Sequence, residues 1–308
     1  MGYQTKIEWC DSTWNPVTGC LNSCPYCYAK KIANRFGGYD VLKLHGQAAR
    51  VYGNLDFPDK PVVLDIWDDV QFKRWTKKEL DGRPREDAKL IRAPYPFGFI
   101  PTLHRELLDM PQKWKKPRTI FVCSMADLFG DWVPDGWIDD VFAACEKAPQ
   151  HRYLFLTKNP ARYSKLALDG RLPTNDNIWY GITPTKDNGQ DVFYGGAWHT
   201  FASLEPILSD WSSGIAHLCD TYASWVIVGA ETGNRAGKVR PKQEWIREIT
   251  ATCLGKSICL YMKDSLLPII GEENMFRQLP WDESSWNIRR EVDWLDGYYE
   301  DELHVERG

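Results

Sequence analysis

The 308-residue sequence lacks any run of about 18 consecutive apolar residues, the length a membrane-spanning helix needs, so none is expected. Its first residues, MGYQTKIEWCDSTWNP, lack the apolar core of a secretory leader, and Lys6 stands where the myristoylation pattern wants Ser or Thr. A cytoplasmic location with no membrane partner is the expectation. Internal repeats and low-complexity tracts are missing. So is a basic excess: 38 Lys and Arg against 42 Asp and Glu leave a net charge of −4. That balance argues against a surface that coats nucleic acid, while leaving room for a local basic groove. An even cysteine complement is also missing. The nine cysteines sit largely in apolar contexts such as IFVCSM and ATCLGKSICLYM, and in a reducing compartment they should be thiols or metal ligands. What is plentiful is core: 43% of residues are apolar and 26% charged, as in a globular protein. Fifteen tryptophans are many. Packing is their plainer account, and platforms for a planar ligand the sharper one.

From residue 118 onward, short apolar runs alternate with helical patterns. The expected strands are 119–124 (TIFVCS), 152–157 (RYLFLT), 177–183 (NIWYGIT), 200–205 (TFASLE), 225–230 (WVIVGA) and 258–263 (ICLYMK). They are apolar nearly throughout, as strands covered on both faces are. Helices are expected over 134–149, 159–170 and 241–256, several with Pro or Asn at the start and Gly at the end. A first strand is expected around TWNPVTG, followed by a helix over PYCYAKKIANRF, and 102–114 (TLHRELLDMPQKW) reads as helix-like. The serial βα pattern predicts an α/β fold, a partial or complete parallel (β/α) barrel, with a doubly wound open sheet as the competitor. Residues 37–98, rich in Gly, Pro and charge, break the pattern and read as an insertion or lid after the first helix. Residues 1–268 then form the main domain. The acidic, Trp-rich tail from 269 to 308 reads as an extension that makes an edge or cap.

The stretch TGCLNSCPYCYAKK carries Cys20, Cys24 and Cys27 at C-x3-C-x2-C. A disulfide suits an odd cluster poorly. Structural zinc wants four ligands, with Cys10 the nearest candidate for the fourth. Burial alone does not impose such spacing. A cubane iron–sulfur cluster on three thiolates keeps one iron open, and offsets of four and three residues let the thiols converge on three corners.

With Tyr26 just before the last cysteine, in a loop after the first strand, this motif resembles that of the radical S-adenosylmethionine (SAM) superfamily. KIEWCDSTWNPVTGC, IFVCSMADLFGDWVP, FLTKNPARY, ASLEPIL and WVIVGAETG together resemble an often phage-encoded family of such proteins, over most of 5–268 outside the insertion. The run Cys24-Pro-Tyr-Cys-Tyr28 is similar to the Cys-x-Tyr-Cys-Tyr of spore photoproduct lyase, a DNA repair enzyme. A counterpart of that enzyme's separate hydrogen-donating cysteine is not evident, which counts against repair. The resemblance implies a barrel of the radical SAM type and a 4Fe–4S cluster held by Cys20, Cys24 and Cys27. It also implies SAM cleaved reductively to a 5′-deoxyadenosyl radical, and an electron donor of flavodoxin or ferredoxin type.

Polar residues follow each strand, where parallel sheets and barrels carry their sites. The resemblance makes Ser124, Lys158 and Thr183 candidate SAM ligands. Ser124 and Asp127 are candidates for the SAM amino group, and each is also a plausible helix cap. Lys158 suits the SAM carboxylate, or is a solvated loop lysine. Glu205 and Glu231 would face SAM or substrate, or pair with Lys263 or Lys158. Tyr26 and Tyr28 would cover the cluster or adenine, or simply pack. Gly229, in GAETG, would let backbone approach the adenosyl group. GNRAGKV (233–239) is one residue short of a phosphate loop, and Val239 replaces its Ser or Thr, so an NTPase is rejected. His104 reads as a structural residue. Cys10 and Cys123 are candidate hydrogen donors, or inert buried thiols. For the substrate, the resemblance implies a nucleobase or nucleoside, such as a modified thymine in phage DNA, and the basic stretches 30–35, 73–78 and 113–118, two of which carry Trp, support it. A free metabolite or peptide side chain is the alternative, and a non-catalytic zinc or iron–sulfur module is a third reading.

Overall fold

The computed structural model describes residues 5–36, 49–52, 63–66, 73–75, 90–184, 196–232 and 238–286. The chain divides into two compact units, Met1–Thr5 with Ser12–Thr157, and Lys6–Asp11 with Lys158–Gly308.

In the first unit the expected single strand around TWNPVTG is two short ones, β1 (Ser12–Trp14) and β2 (Val17–Thr18), which enter different sheets. Pro16 has no N–H to give a ladder, so the strand ends there. Next come α1 (Tyr28–Phe36), β3 (Ala49–Tyr52), β4 (Val63–Ile66), the antiparallel pair β5 (Lys73–Trp75) and β6 (Leu90–Arg92), and β7 (Thr102–His104). Residues 102–114 are therefore not one helix. Thr102–His104 is taken as a strand between β2 and β4, a single 3-10 turn over Arg105–Leu107 follows, and only Met110–Lys113 is α-helical (α2). Ala49–Tyr52 and Val63–Ile66 of the expected lid likewise supply β3 and β4 to the sheet β2-β7-β4-β3, while most of the rest of 37–98 lies outside the described residues.

The parallel strands of this unit are β1, β8 (Thr119–Val122) and β9 (Arg152–Thr157), with Ser12 opposite Ile120 and Thr119 opposite Arg152. Every residue of β8 is buried, as the unbroken apolar run predicts. Between β8 and β9, α3 (Asp135–Glu146) starts after Pro134 and buries Trp137, Ile138, Val141, Phe142 and Cys145, one stripe at helical spacing. Phe142, Phe129 and Phe155 pack edge-on or tilted, with ring centroids 5.4–6.2 Å apart. Below β7, Arg105 grips buried Asp65 with two bonds of 2.7 and 2.8 Å.

The second unit continues the alternation. It runs α4 (Pro160–Leu168), β10 (Ile178–Ile182), β11 (His199–Leu204), α5 (Ile215–Thr221), β12 (Trp225–Val228), α6 (Gln243–Gly255), β13 (Cys259–Met262) and α7 (Leu267–Ile270). Strands β10 to β13 are parallel neighbours in chain order. Gly170, at φ +67°, closes the turn after α4. Helix α5 was not expected, because its seven residues are too few for a clear period. The tail beyond 268 covers an edge: the Met262 N–H donates to the Phe276 carbonyl (2.7 Å), and the Gln278 N–H to that of Leu260 (3.0 Å). The chain is thus α/β with parallel strands. Among the described residues no helix is long and apolar enough to cross a membrane.

Candidate functional site

The thiol loop is stitched to the turn that follows β8. The Cys123 N–H donates to the Trp14 carbonyl (2.8 Å), and Asn15 Oδ1 accepts from Ser124 Oγ (3.1 Å) and the Met125 N–H (3.0 Å). The Gly19 N–H donates to the Met125 carbonyl at 2.9 Å. Gly19 has φ +85°, and a Cβ there would lie 2.4 Å from the Ile100 carbonyl oxygen, so only glycine fits just before Cys20. Beneath it, Thr18 Oγ1 meets His104 Nε2 at 2.9 Å, and the Arg92 guanidinium lies 3.4 Å from His104 Nδ1. The guanidinium can only donate, so Nε2 carries the proton given to Thr18. Burial, and then Arg92, push the His104 pKa down to about 3. His104 is structural, as expected.

Within the loop, backbone groups face the sulfurs. The Asn22 N–H donates to Cys20 Sγ (3.4 Å), and the Cys24 thiol to the Asn22 carbonyl (3.9 Å). The Lys30 N–H donates to Cys27 Sγ (3.3 Å), so Cys27 caps α1 as an oxygen-bearing residue would. These three thiols are half-buried, whereas Cys123, Cys145, Cys219, Cys253 and Cys259 are buried. Burial pushes the Cys20 pKa up to about 12, the Asn22 N–H opposing and the Asp127 charge adding. Cys123 is pushed up to about 12 by burial too, which keeps it a protonated thiol and a poor nucleophile. Among the described residues no group of three or more His, Cys, Asp or Glu is arranged to hold a metal ion.

Asp127 is buried, and its carboxylate is engaged on both oxygens. Oδ1 accepts from Thr157 Oγ1 (2.7 Å) and the Phe129 N–H (3.2 Å), and Oδ2 accepts from Asn22 Nδ2 (2.9 Å). Tyr28, half-exposed, donates its hydroxyl to the Ser124 carbonyl at 2.8 Å. Tyr26 is half-buried. The first unit therefore gathers Cys20, Cys24, Cys27, Tyr26, Tyr28, Ser124 and Asp127. Asn15, Gly19, Asn22 and Thr157 belong with them, and sequence reasoning missed all four.

The second unit carries the other candidates. Lys158 begins it directly after β9, half-buried, and Thr183 follows β10, buried. Glu205 follows β11: Ser203 Oγ donates to Oε2 (3.2 Å), and Lys263 Nζ lies 3.2 Å from Oε1. The ion pair weighed for Glu205 is therefore made, and burial still raises its pKa against that partner. Gly229 makes room for the pair, since a Cβ there would lie 3.1 Å from Glu205 Oε1 and 3.2 Å from Lys263 Cδ. Glu231 is buried and accepts from the Val239 N–H at 3.3 Å, while residues 233–237 of the glycine-rich loop lie outside the described residues.

The arrangement defines an α/β protein with a three-thiol loop just beyond its first parallel strand. The chain belongs to the family described as "Protein of unknown function (DUF5131)", whose model matches residues 4–61 and 73–266. Among solved structures it is similar to "Spore photoproduct lyase complexed with dinucleoside spore photoproduct", at 13% identity and a TM-score of 0.41. The match covers 82% of this chain and 63% of that one, so this chain spans less than two thirds of its length. No curated protein sequence matches.

Proposed function

We propose that the chain is a radical SAM enzyme, with Cys20, Cys24 and Cys27 holding a 4Fe–4S cluster whose fourth iron stays open for SAM. The observation that carries this reading is the loop itself: three half-buried thiols within eight residues, two of them accepting backbone N–H bonds and one opening a helix. The donor set fits, since soft thiolates are the usual ligands of such clusters and N–H bonds to their sulfurs tune them. If bound there, the cluster would supply one-electron reduction of SAM and, through it, hydrogen-atom abstraction from a substrate.

The chain's own residues bind, orient and exclude water. Cys20, protonated when the site is empty, gives up its proton as the group binds. The N-terminus of α1 favours the anionic sulfur of Cys27. Ser124 in the first unit, and Lys158, Thr183, Glu205, Gly229 and Glu231 in the second, each stand at or just after a strand end as candidate SAM ligands. Tyr26 and Tyr28 cover the cluster side. A flavodoxin- or ferredoxin-type donor would supply the electron.

For the substrate, the reading is a nucleobase or nucleoside. Exposed Lys30, Lys31 and Arg35 on α1 support it, beside the thiol loop. The 113–118 stretch supports it less: Lys113 pairs with Asp109 (2.7 Å), and Trp114 is already covered by Arg118 at 4.8 Å and met edge-on by His151 at 6.0 Å. Side chains of 73–78 lie outside the described residues.

The test is anaerobic reconstitution of the full chain with iron and sulfide. A brown protein with about four irons is expected, and dithionite with SAM should release 5′-deoxyadenosine. Deuterated nucleosides or DNA should pass label into that product. Alanine at Cys20, Cys24 or Cys27 should abolish it. A colourless chain that takes only zinc overturns the reading and leaves a metal-binding module.

A further inference from the structure

We infer that Asn22 is the positioning residue of the thiol loop and that buried Asp127 is its anchor, joined by the Nδ2–Oδ2 bond of 2.9 Å. Asn22 bonds in three directions. Its side-chain amide reaches Asp127, its backbone N–H faces Cys20 Sγ, and its backbone carbonyl faces Cys24 Sγ. Two of the three sulfurs are thus set by the orientation of one residue. The next residue, Ser23, turns through a left-handed φ of +51°, so this conformation needs holding from outside.

The two ends of the tether differ. Asn22 is exposed, and its loss opens no cavity and strands no buried group of its own. Asp127 is 5% exposed and fixed by Thr157 and its own turn, whether or not the loop is attached. Asp127 in this role is not a ligand of SAM. It holds the peptide that holds the sulfurs, much as outer-shell partners orient metal ligands.

The inference rests on the proposed cluster only for its consequence, because the tether itself is made by the chain's own residues. Two measurements separate the cases. In the first, anaerobic full-length chain without iron is alkylated with iodoacetamide, and Cys20 modification is followed by peptide mass. Asn22→Ala should speed it about tenfold, the factor a charge-assisted hydrogen bond commands, with a small drop in melting temperature from the donor lost to buried Asp127. Asn22→Asp, which sets two carboxylates together, should speed it further. Equal rates in wild type, Asn22→Ala and Asn22→Asp overturn the inference. In the second, the reconstituted protein is challenged with a chelator, and the reduced cluster's electron paramagnetic resonance spectrum is recorded. Asn22→Ala should lose iron about tenfold faster and shift the spectrum, and Thr157→Ser, which keeps the hydroxyl on Asp127, should behave as wild type. Unchanged loss and an unchanged spectrum in Asn22→Ala also overturn it. A wild type that binds no iron sinks the proposed function, and the alkylation rates then decide the tether alone.

Discussion

Gly19→Ala tests whether the thiol loop is fixed by the sheet beneath it. The structure sets the size of the effect. At φ +85° an alanine carries a left-handed penalty of about 1–2 kcal/mol. Its Cβ would stand 2.4 Å from the Ile100 oxygen, 2.5 Å from that residue's carbonyl carbon and 2.7 Å from the Phe99 oxygen. All three are backbone atoms, so no side chain can swing away. Reaching ordinary contact at 3.4 Å needs a shift of about 1 Å, enough to break the Gly19 N–H bond to Met125, worth roughly 1 kcal/mol. Together these give a loss of about 2–3 kcal/mol, with Cys20 displaced. Gly170→Ala is the control: it has φ +67° but nothing within 4 Å of its Cβ, so it should lose only the backbone part, about 1–2 kcal/mol. Urea unfolding of the iron-free chain, followed by tryptophan fluorescence, measures both. A Gly19→Ala loss no greater than that of Gly170→Ala would refute the close approach of the thiol loop to the turn at Phe99 and Ile100.

Two further effects follow from buried charge. The His104 pKa is depressed to about 3 in the folded chain against an ordinary 6.5, so its neutral form is the one folding favours. Its contribution is complete above pH 6.5 and drains away as pH falls toward 3, about 1.4 kcal/mol per unit, or about 2 kcal/mol between pH 7 and pH 5. His104→Gln should be less stable at pH 7 and flatter below it, and parallel urea midpoints against pH for the two proteins would disprove this. Lys263→Met removes the cation beside Glu205 and, because the two side chains are 26% and 19% exposed, should destabilise by about 1–3 kcal/mol. Because burial raises the Glu205 pKa, that loss should grow as pH rises above the ordinary carboxylate value. Adding Glu205→Leu should recover most of it, and a double variant no more stable than the single one would show that the pair's burial is not the cause.

The parallel strands were legible because each is a short apolar run closed by a polar residue. Arg152–Thr157 falls where expected, and the ends of β10 to β13 differ by a residue or so. Where reading failed, a distant partner decided the conformation. The stretch TLHRELL carries helix-forming residues, yet Thr102 pairs with both Thr18 and Leu64, and that two-sided ladder outweighs local propensity. Pro16 was visible in the sequence, but not that Trp14 and Val17, three residues apart, would serve different sheets.

The site shows the same division. The cysteine spacing is local, and one loop gives it away. What orients the sulfurs is not local: Asn22 reaches Asp127 across 105 positions, and Asp127 reaches Thr157 across 30. An Asn between cysteines and an Asp after the following parallel strand are ordinary residues taken singly. Only burial distinguishes them. A carboxylate at 5% exposure must find donors, and the donors it found are the end of β9, its own turn and the thiol loop. Asp127 could be read in the sequence as a cap or as a ligand, because either role places an acceptor beyond a strand. Packing allots its oxygens, and it gives one of them to the loop that carries the cysteines.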